Sequence, residues 1–301
     1  MPTNEGVSVV PEMSTDSRVR VFRRTLTSIE DFAGMEVDAY VVITRNYAVV
    51  CDTLLCPEDA AVMMQEVAQD IVGRQLLVVN SHADWDHAWG NAHFTGQYAA
   101  PILAHNHGLA RMRAKETRLT LADYQSHYPV FRNVQLTPAT LTFSQELTIH
   151  GGDLSIKLLP APGHHRDHIA AWLPEVRLLL AFDAVEKPLP CIENAEAVPS
   201  MFDTLERFLA LQPDRVLCSH GKTTSPALVR ENLAYLHEIE QGCRKFLRKL
   251  HPTLEELAQA ADLIAYPLDS VIKNASEPVD STFYSSAHNA NVRYMFEWLM
   301  M

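Results

Sequence analysis

The chain is short of basic residues, cysteines and long apolar runs, and each shortage closes off a class of function. Lys and Arg number 25 against 37 Asp and Glu, giving a formal charge of −12. A polyanion would meet net repulsion, so nucleic acid is not expected as a partner. No stretch approaches the roughly 20 apolar residues that span a bilayer, so no membrane partner is expected either. The opening MPTNEGVSVVPEMSTDSR has neither the basic start nor the apolar core of a secretion signal. Residues 1–17 therefore read as a flexible polar leader on a cytoplasmic protein. The five cysteines (Cys51, Cys56, Cys191, Cys218 and Cys243) are odd in number and follow no repeating pattern, which fits reduced thiols better than a disulfide framework. Internal repeats, low-complexity tracts and Gly-rich nucleotide or flavin fingerprints are also missing. Against these gaps stands an apolar content of 47% in 301 residues, enough to bury a sizeable core.

What the sequence does hold is an alternation of two hydrophobic periods. Short β-rich runs at VRVFRRTLT, VDAYVVIT and YAVVCDTLL precede PEDAAVMMQEVAQDIV, a helix opened by Pro57, Glu58 and Asp59. QLLVVNSH reads as a buried strand, PILAHN as another, and about 107–127 as one helical stretch. LTFSQELTIHGG and LSIKLLPAPG read as a hairpin turned at Gly151 and Gly152. The strands HIAAWLP and RLLLAFDAV follow, then a helix over SMFDTLERFLALQP, the strand RVLCSHG and a long amphipathic helix from Ser225. Mixed strands and helices without a break in composition predict a single α/β domain with a helical C-terminal extension, residues 226–301, packed on it.

Chemistry gathers where strands end. VVNSHADWDHAWGN crowds His82, Asp84, Asp86 and His87 into six positions behind an apolar run, the place where α/β folds keep their sites. Imidazole and carboxylate together suit Zn, Fe or Mn, whereas Ca or Mg prefers oxygen alone. The bland alternative is a polar loop whose aspartates cap a helix. Three further strand ends carry His164 in APGHHRDH, Asp183 in LLLAFDA and His220 in VLCSHG. Rigid elements delivering His, Asp and His to one edge are what a preformed metal cage requires.

With HADWDH, PGHH, AFDA and SHG in that order, the chain resembles the metallo-β-lactamase fold superfamily over roughly residues 18–225. The resemblance implies an αββα sandwich of two mixed β-sheets flanked by helices. It implies two divalent metal ions: a first held by His82, Asp84 and His164, a second by Asp86, His87 and His220, with Asp183 bridging. It also implies a bridging hydroxide as nucleophile, Asp86 orienting it, and a small ester, thioester, lactone or β-lactam-like bond as target. Zinc is the first expectation for the metal. The family's second histidine is Asp84 here, a harder, negatively charged ligand that leaves Fe or Mn open. A carboxylate at that place also resembles the di-iron flavodiiron branch, so oxygen or nitric oxide chemistry stands as the alternative, beside a relic that binds metal without turnover.

Around these ligands the readings are weaker in kind. His168 and His165 are candidates to orient ligands or substrate, and Lys187 to contact an acidic substrate. His93, His105 and His107 read as structural, Trp85 and Trp89 as core, and Cys218 as a buried inert thiol. Residues 107–135, with Arg111, Arg113, Tyr124 and Tyr128, and the loop after Asp183 are two candidate lids. The sequence Asp183-Ala184-Val185-Glu186 lacks the tyrosine that lactonases of the superfamily place there. His288 and Asn289 are remote pocket candidates, and the C-terminal helices offer a homodimer surface.

Overall fold

The computed structural model describes residues 6–27, 29, 32–272 and 281–301. The chain forms two compact units, residues 1–160 with 167–180 and residues 161–166 with 181–301.

The first unit is built on a seven-stranded sheet in the order β1 (Val7–Val9), β2 (Val19–Thr25), β3 (Glu36–Ile43), β4 (Tyr47–Cys51), β5 (Gln75–Val79), β6 (Ile102–His105) and β7 (Leu141–Phe143). Strands β1 to β4 pair antiparallel and β4 to β7 parallel. The near-continuous apolar run of β3 is explained by burial of both its faces. In the β2–β3 register Arg23 stands opposite Asp38, and its guanidinium donates two bonds of 2.7 Å to that carboxylate.

Helix α1 (Pro57–Glu66) begins as its sequence predicts, with Pro57 in the first turn and Glu58 and Asp59 behind it. Its apolar face packs into a core with Phe22, Val41, Val50, Trp89, Phe94 and Phe131.

Three expectations are corrected in this unit. Residues 1–5 of the leader lie outside the described residues, but Val7–Val9 form a strand on the sheet edge, and Val10 and Met13 are buried behind it. Residues 107–127 are two helices, α3 (Asn106–Met112) and α4 (Lys115–His127), because Ala114 adopts an extended backbone and starts the second helix; α2 (Trp85–Ala88) precedes them. The stretch LTFSQELTIHGG is also divided. Its first part is β7, while Leu147–His150 becomes β8 of a second sheet and pairs antiparallel with β9 (Ser155–Pro160). That sheet continues antiparallel through β10 (Ile169–Leu173) to β11 (Leu178–Leu180).

The second unit contains α5 (Val198–Ala210), β12 (Arg215–Leu217), α6 (Ala227–Leu247), α7 (Leu268–Ile272) and α8 (Ser281–Met300). His288 on α8 is buried, bonded to the Tyr235 hydroxyl at 2.9 Å and to the Tyr266 carbonyl at 2.9 Å. Asn289 accepts from the Ala261 N–H and donates to the Ala258 carbonyl. Both side chains moor helices to one another. Among the described residues no helix is long and apolar enough to cross a membrane.

Candidate metal centre

In the first unit β5 runs out at Val79, and Asn80 and Ser81 lead into the motif. Asp84 stands at the start of α2, and its carbonyl accepts from the Ala88 N–H at 3.0 Å. Its side chain does not cap the helix. One carboxylate oxygen faces His82 Nε2 at 3.1 Å and the other meets the Arg111 guanidinium, so the helix-capping reading of this aspartate is not what the fold uses. One turn of helix then sets Asp86 and His87 side by side, with His87 Nε2 3.5 Å from Asp86 Oδ2. The His82 and His87 rings lie 4.2 Å apart between centroids, and His168, fully buried, stands 5.0 Å from His82.

A residue that sequence reasoning missed organises this cluster. Asp52, at the end of β4, is fully buried; it accepts the Ser81 N–H and the Ser81 hydroxyl, each at 2.7 Å, and His87 Nδ1 at 2.9 Å. Ser81 Oγ, its own proton given to Asp52, accepts from His82 Nδ1 at 2.9 Å. One carboxylate thus orients both histidines. Asn80 and Asn91 exchange side-chain bonds of 3.0 and 2.8 Å across the motif, and Thr53 donates to Asn91 at 3.1 Å. The only forewarning in the sequence was an acid ending the apolar run YAVVCD.

In the second unit Gly163 has φ +143°, and a Cβ there would lie 2.7 Å from Met201 Cα. Only glycine makes that turn, which presents His164. His164 Nδ1 meets the Cys191 carbonyl at 3.1 Å. Phe182, left-handed at φ +49°, reverses the chain after β11, and the Ala181 N–H donates to the Leu217 carbonyl at 2.8 Å. Asp183 consequently stands beside His220. The Asp183 Oδ2 lies 3.4 Å from His220 Nε2 and 3.6 Å from His164 Nε2. His165 faces Glu193 at 3.2 Å, and the Lys187 N–H donates to the His220 carbonyl at 3.3 Å.

Glu186, also not anticipated, is buried three residues beyond Asp183. Burial pushes its carboxyl up, against the opposing pull of His220. The Tyr284 hydroxyl donates to it at 2.5 Å, and Asn232 holds its backbone on both sides.

These geometries suit a cation. The Asp52 carboxylate and the Cys191 carbonyl only accept, and the Ser81 hydroxyl gives its own proton to Asp52, so Nδ1 is the donor in His87, His164 and His82; in a neutral ring the Nε2 lone pair then faces a carboxylate. Lone pair against carboxylate is repulsive unless positive charge intervenes, and the neutral Nε2–carboxylate set is that of a divalent transition metal.

Other candidates take structural places. Trp85 and Trp89 pack edge-on against Phe131 and Tyr124, which also ties α4 into the core. His93 stacks on Tyr98, and burial lowers its pKa. His105 Nδ1 accepts the His107 N–H. All five cysteines are free thiols, and four of them, including Cys218, are buried.

The sequence model of the metallo-beta-lactamase superfamily matches residues 34–220, and the chain belongs to that superfamily. A hydroxyacylglutathione hydrolase from Rhodopseudomonas palustris is 27% identical over 133 residues, 41% of this chain and 49% of the relative. The chain thus spans about half the length of the curated relative it matches. A metallo-beta-lactamase family protein from Thermus thermophilus has the same fold, with a TM-score of 0.67 at 15% identity over 95% of this chain and 94% of that one. A metallo-beta-lactamase from Pontibacter korlensis gives 0.59 at 17% identity over 76% and 97%.

Proposed function

We propose that the protein is a metallo-hydrolase of a small ester, thioester, lactone or β-lactam-like bond. Two divalent ions, zinc first among them, would be held by His82, Asp84 and His164 and by Asp86, His87 and His220, with Asp183 shared. The observation that carries this reading is the repeated fixing of histidine Nδ1 by a protein acceptor while Nε2 is aimed at a carboxylate. When bound, such ions polarise a carbonyl oxygen and lower the pKa of water from about 16 toward 7. The chain's own part is orientation. Asp52 locks two imidazoles and the Cys191 carbonyl a third, and Asp86 would accept a proton from the attacking water. The hydroxyacylglutathione hydrolase relative supports an acyl compound as substrate.

The test is metal content by elemental analysis of protein purified without chelator, followed by an ester, thioester, lactone and β-lactam panel. About two zinc or manganese ions per chain with chelator-sensitive turnover is the expected result. Two irons without hydrolysis would replace it with the di-iron redox alternative, for which the carboxylate of Asp84 speaks, and a metal-free protein would leave a relic. His87→Ala and Asp183→Asn are expected to reduce hydrolysis to background while far-ultraviolet circular dichroism stays unchanged. Turnover retained in an Asp183→Asn protein of verified metal content would overturn the role given to Asp183.

A further inference from the structure

The place where this chain departs from the superfamily's motif is also where an arginine approaches. Arg111, near the end of α3, directs one guanidinium nitrogen to Asp84 Oδ1 and another to Asp167 Oδ1 at 3.3 Å. Asp167 is buried, and its second oxygen accepts the Ala83 N–H at 2.8 Å, so the anchor of the guanidinium also grips the backbone next to Asp84. α3 passes close to Asp167 at Gly108, where a Cβ would stand 3.2 Å from Asp167 Oδ2, tighter than an ordinary contact. The result is a fork held at both ends, leaving Asp84 Oδ2 as the oxygen that faces His82 Nε2.

We propose that Arg111 is a positioning residue that makes Asp84 behave as a histidine substitute. This rests on the metal reading above and deepens it. A free aspartate differs from the histidine of the motif in two respects: it adds a negative charge, and it can offer two oxygens to one cation. Arg111 offsets the first, since a guanidinium stays protonated at any physiological pH, and disfavours the second by engaging Oδ1 and fixing the tilt of the carboxylate. Asp84 is thereby reduced to a single, charge-compensated donor atom, the number a histidine supplies. Single-atom donors beside imidazole suit four-coordinate zinc, whereas an uncompensated two-oxygen carboxylate suits manganese and other hard ions. Arg111 therefore sets metal preference without touching the metal.

Zinc and manganese affinities of the full chain, measured by competition with a chromogenic chelator, test this in wild type, R111Q, R111K, D84H and D84H/R111Q. R111Q is expected to move the zinc-to-manganese affinity ratio roughly tenfold toward manganese, and R111K, which keeps the charge and loses the fork, in the same direction by less. In the D84H background the R111Q change is expected to leave the ratio within about threefold, since there is no carboxylate left to restrain. A ratio unchanged in R111Q, or an equal shift with and without Asp84, overturns the proposal. Should R111Q fail to fold, R111K carries the test, and an unchanged ratio there overturns it equally. Wild-type protein that binds neither ion overturns the metal reading itself, whereas wild-type binding with an unresponsive ratio removes only the role of Arg111.

Discussion

Replacing Gly90 with alanine is expected to destabilise the first unit by about 3 kcal/mol, a fall in melting temperature of roughly 6 to 12 °C. Gly90 lies just beyond the metal-binding motif, in the sequence DHAWGN, and its N–H donates to the Leu54 carbonyl at 3.2 Å. A Cβ at this position would overlap the Thr53 carbonyl oxygen and stand 2.9 Å from that of Cys56. Both are backbone atoms, so no side-chain rotation relieves the clash. The loop they belong to has little slack, since Asp52 and Leu54 already hold left-handed backbones at φ +67° and +60° and both are fully buried. Moving it would displace Asp52, and with it the acceptor that orients His87. Calorimetry of the metal-free variant decides the matter: a melting temperature equal to wild type would mean that the loop yields, and the close approach would then have no energetic weight.

Asp52→Asn is expected to weaken zinc binding by about 10- to 100-fold while leaving every proposed ligand in place. The substitution keeps the shape of the side chain and removes one acceptor oxygen. Three donors now converge on the carboxylate, the Ser81 N–H, the Ser81 hydroxyl and His87 Nδ1. An amide has one oxygen to offer them and turns an NH2 group toward the remainder. Either His87 moves its proton to Nε2, which spoils it as a ligand, or Ser81 turns and releases His82. Chelator competition would read the loss directly, and an unchanged zinc affinity would show that the histidines are oriented by something other than Asp52.

The proposed donors stand out in the sequence because His82, Asp84, Asp86 and His87 share a spacing that a chain seldom assembles for packing alone, and His164, Asp183 and His220 each follow a short apolar run. The residues that hold the donors were not legible, for a physical reason. Asp52 and His87 are 35 positions apart, and Ala83 and Asp167 are 84 apart. Asp52 and Asp167 are each an ordinary acid until the fold brings them to their partners. Arg111 was visible only as a charge on a candidate lid, since nothing in its neighbourhood announces Asp84. The fold was read correctly in class but not at every boundary. Apolar alternation runs almost unbroken from Leu141 to Ile149, and no local signal says that the chain changes sheets near Glu146. The break at Ala114 inside 107–127 is equally silent, because alanine is a good helix former whose extended backbone is imposed by tertiary context.

The early departure of the chain from β7 also bears on what the border of this sheet offers an incoming strand. The order of the seven-stranded sheet ends in β1 on one side and β7 on the other, and each is only three residues long. Both edges carry an exposed apolar side chain, Val9 at 40% and Leu141 at 53%, of the kind that invites a foreign strand. With so few unpaired N–H and C=O groups in line, an incoming strand finds almost no ladder to extend. The switch of sheets after Phe143 that sequence patterning misses thus leaves the β7 edge blunt, with little ladder for edge-to-edge pairing.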